Sequence, residues 1–355
     1  MAAQTSVKTK GMGCPYGSHR VMEPAGTLPQ PAWRIDNTMD PYDNEVLIDV
    51  ERLNIDAASF TQIKDEARGD DERIAATMRD IVARRGKHHN PKTGSGGMLI
   101  GTVEFVGPAL TGKVDLRPGD RIATLVSLSL TPLRIDKVKR VHIDTDQVEI
   151  DGKAVLFESG IYAKLPDDMP DALALAILDV AGAPAQTAKL VRSGDTVLVV
   201  GGGGKSGLLC LAEARKHAGV TGRVLALCHS ERSAERARRL GFADEVFTAD
   251  ATRPLDVHNK VRELTGGRLV DLTINCVNIP GTEMGSILAT RDNGTVYFFS
   301  MATSFTAAAL GAEGVGKDVA MLIGNGYTVG HAAIALQTVR ENEGLRRLFE
   351  ELFVK

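Results

Sequence analysis

The stretch Thr196-Val-Leu-Val-Val-Gly-Gly-Gly-Gly-Lys-Ser-Gly-Leu-Leu209 constrains the fold more tightly than any other part of the sequence. Thr196–Val200 reads as a short strand buried on both faces, and the residues from Leu208 onward read as a helix, so the glycines must make the turn between them. Gly202, Gly204 and Gly207 meet the G-x-G-x-x-G spacing. The first allows a tight turn, the second lets backbone N–H groups approach a pyrophosphate, and the third lets helix and strand pack closely. Strand, glycine turn and helix in that order predict a dinucleotide site. Gly203, Lys205 and Ser206 lie in the same turn, and Lys205 is expected to reach a cofactor phosphate.

Gly204-Lys205-Ser206 imitates the end of a Walker A loop, but G-x-x-x-x-G-K-[ST] needs glycine where Val199 stands. The loop is too short to wrap a triphosphate, which argues against kinase or ATPase chemistry. The ribose position is open. An acidic residue is expected about twenty residues past the turn, and Cys228 occupies that place. Glu231 can reach a 2′-hydroxyl, while His229, Ser230 and Arg232 can equally hold a 2′-phosphate. NAD and NADP both remain admissible.

The rest of the second half repeats the same texture. Helices are expected at 171–178, 208–217, 233–240 and 254–264, and strands at 223–227, 245–248, 270–275 and 294–299, which is the pattern of a parallel sheet with helices on both faces. Residues 332–353 read as an amphipathic helical pair. Asn275, Val277 and Asn278 end one strand at the carboxyl edge, where open α/β sheets bind ligands, and Ser300, Met301 and Ala302 end the next. Asn325 and Tyr327 are expected to close over the nicotinamide. The first half is mainly β, with strands at 46–50, 98–106 and 120–126 and a surface helix over 70–85. The first ten residues read as a frayed tail.

Composition narrows the function classes. With 42 Lys+Arg against 45 Asp+Glu, a net charge of -3 gives no global reason to bind nucleic acid or an anionic membrane. Cys14, Cys210, Cys228 and Cys276 are scattered, so neither a disulfide scaffold nor a structural zinc knot is expected. The N-terminal MAAQTSVKTK lacks the apolar core of a secretory signal. The most apolar stretch, 172–188, is broken by Asp179, Pro184 and Gln186, so no membrane span is expected. A cytoplasmic enzyme follows as the expectation.

The β-rich half with its Pro118-Gly119-Asp120 turn, the strand Gly101-Thr-Val-Glu-Phe-Val-Gly107, and the opening Ser193-Gly-Asp-Thr-Val-Leu-Val-Val-Gly201 resemble the medium-chain dehydrogenase/reductase superfamily. Longer blocks resemble, within it, the L-erythro-3,5-diaminohexanoate dehydrogenase family. They are Gly13–Arg20 (GCPYGSHR), Arg85–Pro91 (RGKHHNP), Thr124–Asp136 (TLVSLSLTPLRID), Phe157–Pro170 (FESGIYAKLPDDMP), Asp179–Lys189 (DVAGAPAQTAK), Thr273–Asn278 (TINCVN) and Tyr297–Gly330. The resemblance implies a Rossmann doubly wound parallel sheet over 166–315, and a mainly-β GroES-like catalytic domain over 1–165 completed by 316–355. It further implies NAD-dependent oxidative deamination of a small-molecule diamino acid, and a homodimer built by pairing Rossmann sheets through the 294–316 region.

Zinc members of that superfamily place a Cys after the first strand and a His in a Gly-His-Glu before the G-x-V strand. Counting from Val50 puts Asp56 at the first position without gaps, or Asn54 with one, and counting back from Gly101 puts Gly97 and Met98 at the others. The ligand types a zinc needs are missing, and no catalytic metal is expected. A site of another kind at Asp56, His88 and His89 is disfavoured.

Hydride can leave a carbon bearing nitrogen only when the amine is neutral, so a general base must take the ammonium proton. Asp56 leads as that base, its bland alternative being a turn-capping aspartate. Glu158 and Tyr162 form a polar-aromatic cluster or simply a surface strand end. His88 and His89 either bind the substrate carboxylate or sit exposed in their loop. Asp179 interrupts an apolar helix and needs a partner, either a fold network or the C5 ammonium. Two other readings stay open: a zinc-independent quinone or enoyl reductase, and a catalytically inactive dinucleotide-binding sensor.

Overall fold

The computed structural model describes residues 8–324 and 326–354 and divides into two compact units, with the break between Met169 and Pro170.

The first unit runs β1 (Val21–Glu23), β2 (Arg34–Ile35), β3 (Glu45–Ile55), α1 (Ala57–Ala67), α2 (Asp71–Arg85), β4 (Gly97–Val106), β5 (Arg121–Thr124), β6 (Leu133–His142), β7 (Gln147–Phe157) and β8 (Tyr162–Lys164). β1 and β2 pair alone, and the others form an antiparallel sheet in the order β6-β7-β3-β4-β5-β8. Its core gathers Ile48, Val50, Leu53, Leu99, Val103 and Val148 from the sheet with Ile74, Met78 and Val82 from α2. α2 starts as its sequence demands: Asp70 caps it by accepting from the Arg73 N–H, and Gly86 ends it. The β1–β2 pair, α1 and the β6–β7 hairpin were not expected from the sequence. Part of the supposed tail is also ordered, since Lys10 N–H donates to Pro41 O at 3.1 Å. Residues 1–7 lie outside the described residues.

The second unit runs α3 (Asp171–Leu178), α4 (Gly182–Leu190), β9 (Thr196–Val200), α5 (Lys205–Ala218), β10 (Arg223–Cys228), α6 (Glu231–Leu240), β11 (Glu245–Thr248), α7 (Pro254–Leu264), β12 (Val270–Asn275), α8 (Glu283–Ala289), β13 (Thr290–Phe298), α9 (Phe305–Gly314), β14 (Val319–Ile323), α10 (His331–Arg340) and α11 (Glu343–Phe353). The strands form one parallel sheet in the order β11-β10-β9-β12-β13-β14, a Rossmann arrangement. Burial on both faces explains the uninterrupted apolar runs. Val197, Val199, Val224 and Ala226 pack under α5, while Leu198, Val200, Leu225 and Leu227 pack on the other face with Val257 and Val261 of α7.

The C-terminal segment differs from expectation. Residues 316–355 do not complete the first unit. β14 extends the parallel sheet by pairing with β13, from Gly294↔Val319 to Phe298↔Ile323. α10 packs on α3, α4 and α5, and α11 on α3 and α6. Among the described residues no helix is long and apolar enough to cross a membrane.

Candidate functional site

At the end of β9 the chain turns through Gly201–Gly204 into α5. Gly201 and Gly202 N–H both donate to Leu227 O, at 2.9 and 3.0 Å, and Gly204 N–H closes the turn on Gly201 O at 3.0 Å. A Cβ on Gly203 would lie 2.1 Å from Ser233 O, and one on Gly207 2.1 Å from Gly201 O. Gly204 is different: its Cβ would meet only Gly201 O, at 3.4 Å. The turn is therefore packed on one side and open on the other. α5 begins at this opening, and its first N–H groups have no acceptor within the helix while the helix dipole favours negative charge there. The residues present fit a dinucleotide pyrophosphate.

The ribose end is built unusually. Cys228 ends β10 buried, and burial holds its thiol above the ordinary range although Ser233 and the Gly203 N–H hydrogen-bond to it. The expected carboxylate position is thus a packed sulfur that ties the glycine turn to α6. Glu231 is turned back along its own helix into an ion pair with Arg238. Ser230 is spent capping α6, accepting from Ser233 N–H at 3.3 Å. His229 and Arg232 are exposed beside them.

At the carboxyl edge, Asn275 is fully buried and committed to the fold. Its amide donates to Thr282 Oγ1 and Ser286 Oγ at 2.9 and 3.0 Å, and its carbonyl accepts from Val277 N–H at 2.9 Å. It positions Val277 rather than facing a ligand, which corrects its reading as a contact residue. The Val277 side chain lies against Gly201, and exposed Asn278 accepts from the Ser300 hydroxyl at 3.2 Å. Met301 is exposed. Asn325 lies outside the described residues.

Asp179 has the partner its position demanded. Lys205 Nζ lies 2.9 Å from Asp179 Oδ2, with both side chains 30% exposed. The Lys205 ammonium also sits 5.3 Å over the Phe353 ring. Lys205 is the first residue of α5, so the pair stands at the mouth of the glycine turn. Sequence reasoning flagged the lone acid in an apolar helix but assigned Lys205 elsewhere.

In the first unit the candidates do not gather into one cluster. Asp56 stands between β3 and α1, and its Oδ2 accepts from Gly96 N–H at 2.9 Å. It anchors the loop before β4. Glu158 is held by Lys113 and Asn44 at 2.8 and 2.9 Å, and the Lys113 hydrogen bond keeps its carboxyl below the usual range. Tyr162 donates to Asp115 Oδ1 at 2.5 Å, and burial together with Asp115 pushes its phenol up to about 12. Both residues are spent on the 113–115 segment.

The histidine loop is a correction in kind. His88 is not exposed but fully buried. His89 is half-buried, takes a hydrogen bond from Arg85 on Nδ1 at 3.2 Å, and leaves its carbonyl to Arg85 at 2.7 Å. Burial lowers both imidazoles to about 4, with Arg85 and Lys87 adding to the effect on His89. They are neutral near pH 7 and bring no positive charge to a carboxylate. Lys87 is buried too, donating to Pro29 O and Gln30 O at 2.5 and 2.9 Å, and burial lowers it to about 7. The loop clamps 29–33 against α2. Behind that segment lies a largely apolar cavity of about 250 Å³ between Tyr16, Leu28, Val126, Leu130 and Phe157. Three of the sequence blocks quoted above contribute its walls.

His88 is buried with nothing to offset the loss of water around its ring. Neither ring nitrogen has a hydrogen-bond partner. The folded value of about 4 lies below the ordinary 6.5, so between these values the unfolded chain binds a proton that the folded chain does not. Stability is then lost as pH falls through that window. His88→Leu is expected to remove the loss, worth roughly 3 kcal/mol between pH 6.5 and 4. Urea unfolding of both proteins across this range measures it, and parallel pH curves would refute it.

A family model described as L-erythro-3,5-diaminohexanoate dehydrogenase N-terminal domain matches residues 19–166, and one described as zinc-binding dehydrogenase matches residues 206–332. An L-erythro-3,5-diaminohexanoate dehydrogenase of Acetoanaerobium sticklandii is 60% identical over 342 residues, covering 96% of this chain and 99% of the relative. One from Fusobacterium nucleatum subsp. nucleatum is 57% identical over the same shares. Among solved structures, a mycobacterial quinone oxidoreductase covers 92% of this chain and 87% of its own at 21% identity, with a TM-score of 0.52, which speaks for the fold alone. The donor chemistry does not fit zinc. Gly97 and Met98 offer no imidazole or carboxylate, and among the described residues no three His, Cys, Asp or Glu side chains converge. Near-full-length identity at this level, carried by both halves of the sequence, means that the chain belongs to the L-erythro-3,5-diaminohexanoate dehydrogenase family.

Proposed function

We propose that the chain catalyses NAD(P)-dependent oxidative deamination of L-erythro-3,5-diaminohexanoate at C3, giving 5-amino-3-oxohexanoate, ammonium and reduced cofactor in lysine fermentation. The observation that carries this reading is 60% identity over 96% of the chain with a relative of that name. The open face of the glycine turn supports the cofactor class. NAD is the expected cofactor and NADP is admitted, because Glu231 is engaged by Arg238 while His229 and Arg232 are exposed where a 2′-phosphate would sit.

When bound, the nicotinamide accepts the hydride, with its electron pair, from C3. The first N–H groups of α5, from Lys205 to Gly207, bind the pyrophosphate, Val277 backs the turn, and Asn278 with Ser300 frames the carboxyl edge of the sheet. The substrate brings two ammonium groups and a carboxylate. The enzyme works in the cytoplasm as a homodimer that pairs Rossmann sheets, at the β14 edge rather than through the 294–316 region expected from the sequence. The exposure of Phe305, Leu310 and Ile323, at 68%, 62% and 58%, beside that free sheet edge supports the pairing.

The test is direct. The purified chain, incubated with the diamine and either NAD or NADP, is expected to raise absorbance at the reduced-nicotinamide band and release one ammonium per cofactor. Turnover of a quinone with none of the diamine would replace this reading by a reductase, and tight cofactor binding without any turnover by a sensor.

A further inference from the structure

We infer that Lys205 and Asp179 are the acid–base dyad of the reaction, so that Lys205 is a catalytic residue rather than a ligand of the cofactor phosphate. The inference rests on the reaction proposed above and names the groups that move its protons. Three observations carry it. The Lys205 ammonium is directed at Asp179, 2.9 Å away. Both side chains remain 30% exposed, so a substrate can reach them. The pair stands where the glycine turn becomes α5, at the cofactor end of the sheet. As a structural device it would achieve little, because water screens a partly exposed Lys–Asp pair and holding two long side chains in one geometry costs entropy. Asp179 stands at the exposed C-terminal cap of α3, where a carboxylate opposes the negative end of the helix dipole, so the position is not one that helix stability selects.

The proton balance needs two such groups. The substrate enters as R₂CH–NH₃⁺, and Asp179 takes one proton to give R₂CH–NH₂, later releasing that proton to solvent. The nitrogen lone pair forms C=N as hydride leaves C3, giving R₂C=NH₂⁺. Water adds to this carbon while Asp179 takes its second proton, leaving R₂C(OH)–NH₂. Lys205 protonates the nitrogen, the C–N bond breaks, and the hydroxyl proton returns to Lys205 as C=O forms. The departing NH₃ carries away the proton held by Asp179. The sum is R₂CH–NH₃⁺ plus oxidised cofactor plus H₂O giving R₂C=O, NH₄⁺, reduced cofactor and H⁺.

Lys205→Met, Lys205→Arg and Asp179→Asn in the full-length chain test the assignment. Each is expected to keep its thermal midpoint and to bind NAD, by calorimetry, within about threefold of wild type. Each is expected to lose at least about 100-fold in kcat at saturating NAD. Asp179→Asn should also lose the acidic limb of the kcat pH profile. Lys205→Arg separates charge from proton transfer: it keeps the ion pair but cannot give up its proton, so it should fail like methionine. The dyad is overturned if Lys205→Met weakens NAD binding tenfold or more while kcat at saturation stays within threefold. It is equally overturned if Lys205→Arg restores wild-type kcat, or if all variants turn over normally. A wild-type chain inert toward the diamine would instead remove the reaction itself.

Discussion

Gly207→Ala should abolish dinucleotide binding and unsettle the second unit, whereas Gly204→Ala, three residues earlier, should weaken binding and leave stability intact. The two glycines share one turn but meet different surroundings. A Cβ on Gly207 would lie 2.1 Å from Gly201 O and 2.8 Å from both Gly201 C and Gly202 Cα. All three are backbone atoms of a turn already held by two hydrogen bonds to Leu227 O. Nothing there gives way without pulling α5 off the sheet, and overpacking of this kind costs about 3 kcal/mol. The N–H groups that would hold a pyrophosphate move with the helix, so affinity should fall by 100-fold or more. Gly204 has φ -90 and ψ 171, backbone that alanine adopts readily, and only Gly201 O stands near its Cβ position. Its methyl group would instead fill space left for the ligand. Thermal unfolding and NAD calorimetry on the two variants check this, and the idea fails if both variants lose stability alike.

That contrast also shows why the turn was legible in the sequence and much else was not. Cofactor binding here is carried by backbone, and backbone geometry is written directly in glycine spacing and in the apolar run before it. The β6–β7 hairpin escaped because β6 lies at the edge of its sheet, where Lys137, Lys139 and Arg140 break its alternation. Such charge is what keeps an edge from pairing with another chain. β14 was missed for a related reason, as an edge strand with three exposed residues out of five. α1 offers few apolar side chains, chiefly Phe60 and Ile63, and reads as a loop beyond a strand. The site divides along the same line. Burial of Lys87 and His88 within Lys-His-His-Asn-Pro runs against every hydropathy pattern: Lys87 is buried for the Pro29 and Gln30 carbonyls it holds, and His88 is carried in beside it with its ring unpaired. The Asp179–Lys205 pair spans 26 residues, and only the topology brings it together. Sequence could state that Asp179 needed a partner, but could not name it.

The same limit applies to a buried ion pair of the first unit. Arg20→Met is expected to cost about 3–5 kcal/mol at pH 7 and to reverse the sign of the pH dependence below it. Arg20 and Glu45 are each 1% exposed. The guanidinium Nε and Nη2 donate to the two carboxylate oxygens at 2.7 Å each, and Nη1 donates to Thr38 O at 2.8 Å. Tyr42 N–H adds a bond to Oε2 at 2.9 Å. His19 receives the Cys14 N–H on Nδ1 and so presents Nε2–H to Glu45 Oε1, at 2.9 Å. Burial alone would push the Glu45 carboxyl up, but the Arg20 and His19 hydrogen bonds outweigh it and hold the group at about 2. A depressed carboxyl stabilises the fold above its unfolded value of 4.5, and that contribution, on the order of 3 kcal/mol, disappears as pH falls from 4.5 through 2. Without the guanidinium only burial and weaker donors remain, so the carboxyl should rise above 4.5 and the variant should gain stability, not lose it, as pH drops from 7 toward 5. Replacing both residues, as Arg20→Met with Glu45→Leu, removes the orphaned charge and should recover most of the loss. Denaturant unfolding of the wild type and the two variants at pH 7 and 5 decides it, and a loss under 1 kcal/mol for Arg20→Met at pH 7 would mean that water, not the guanidinium, is solvating Glu45.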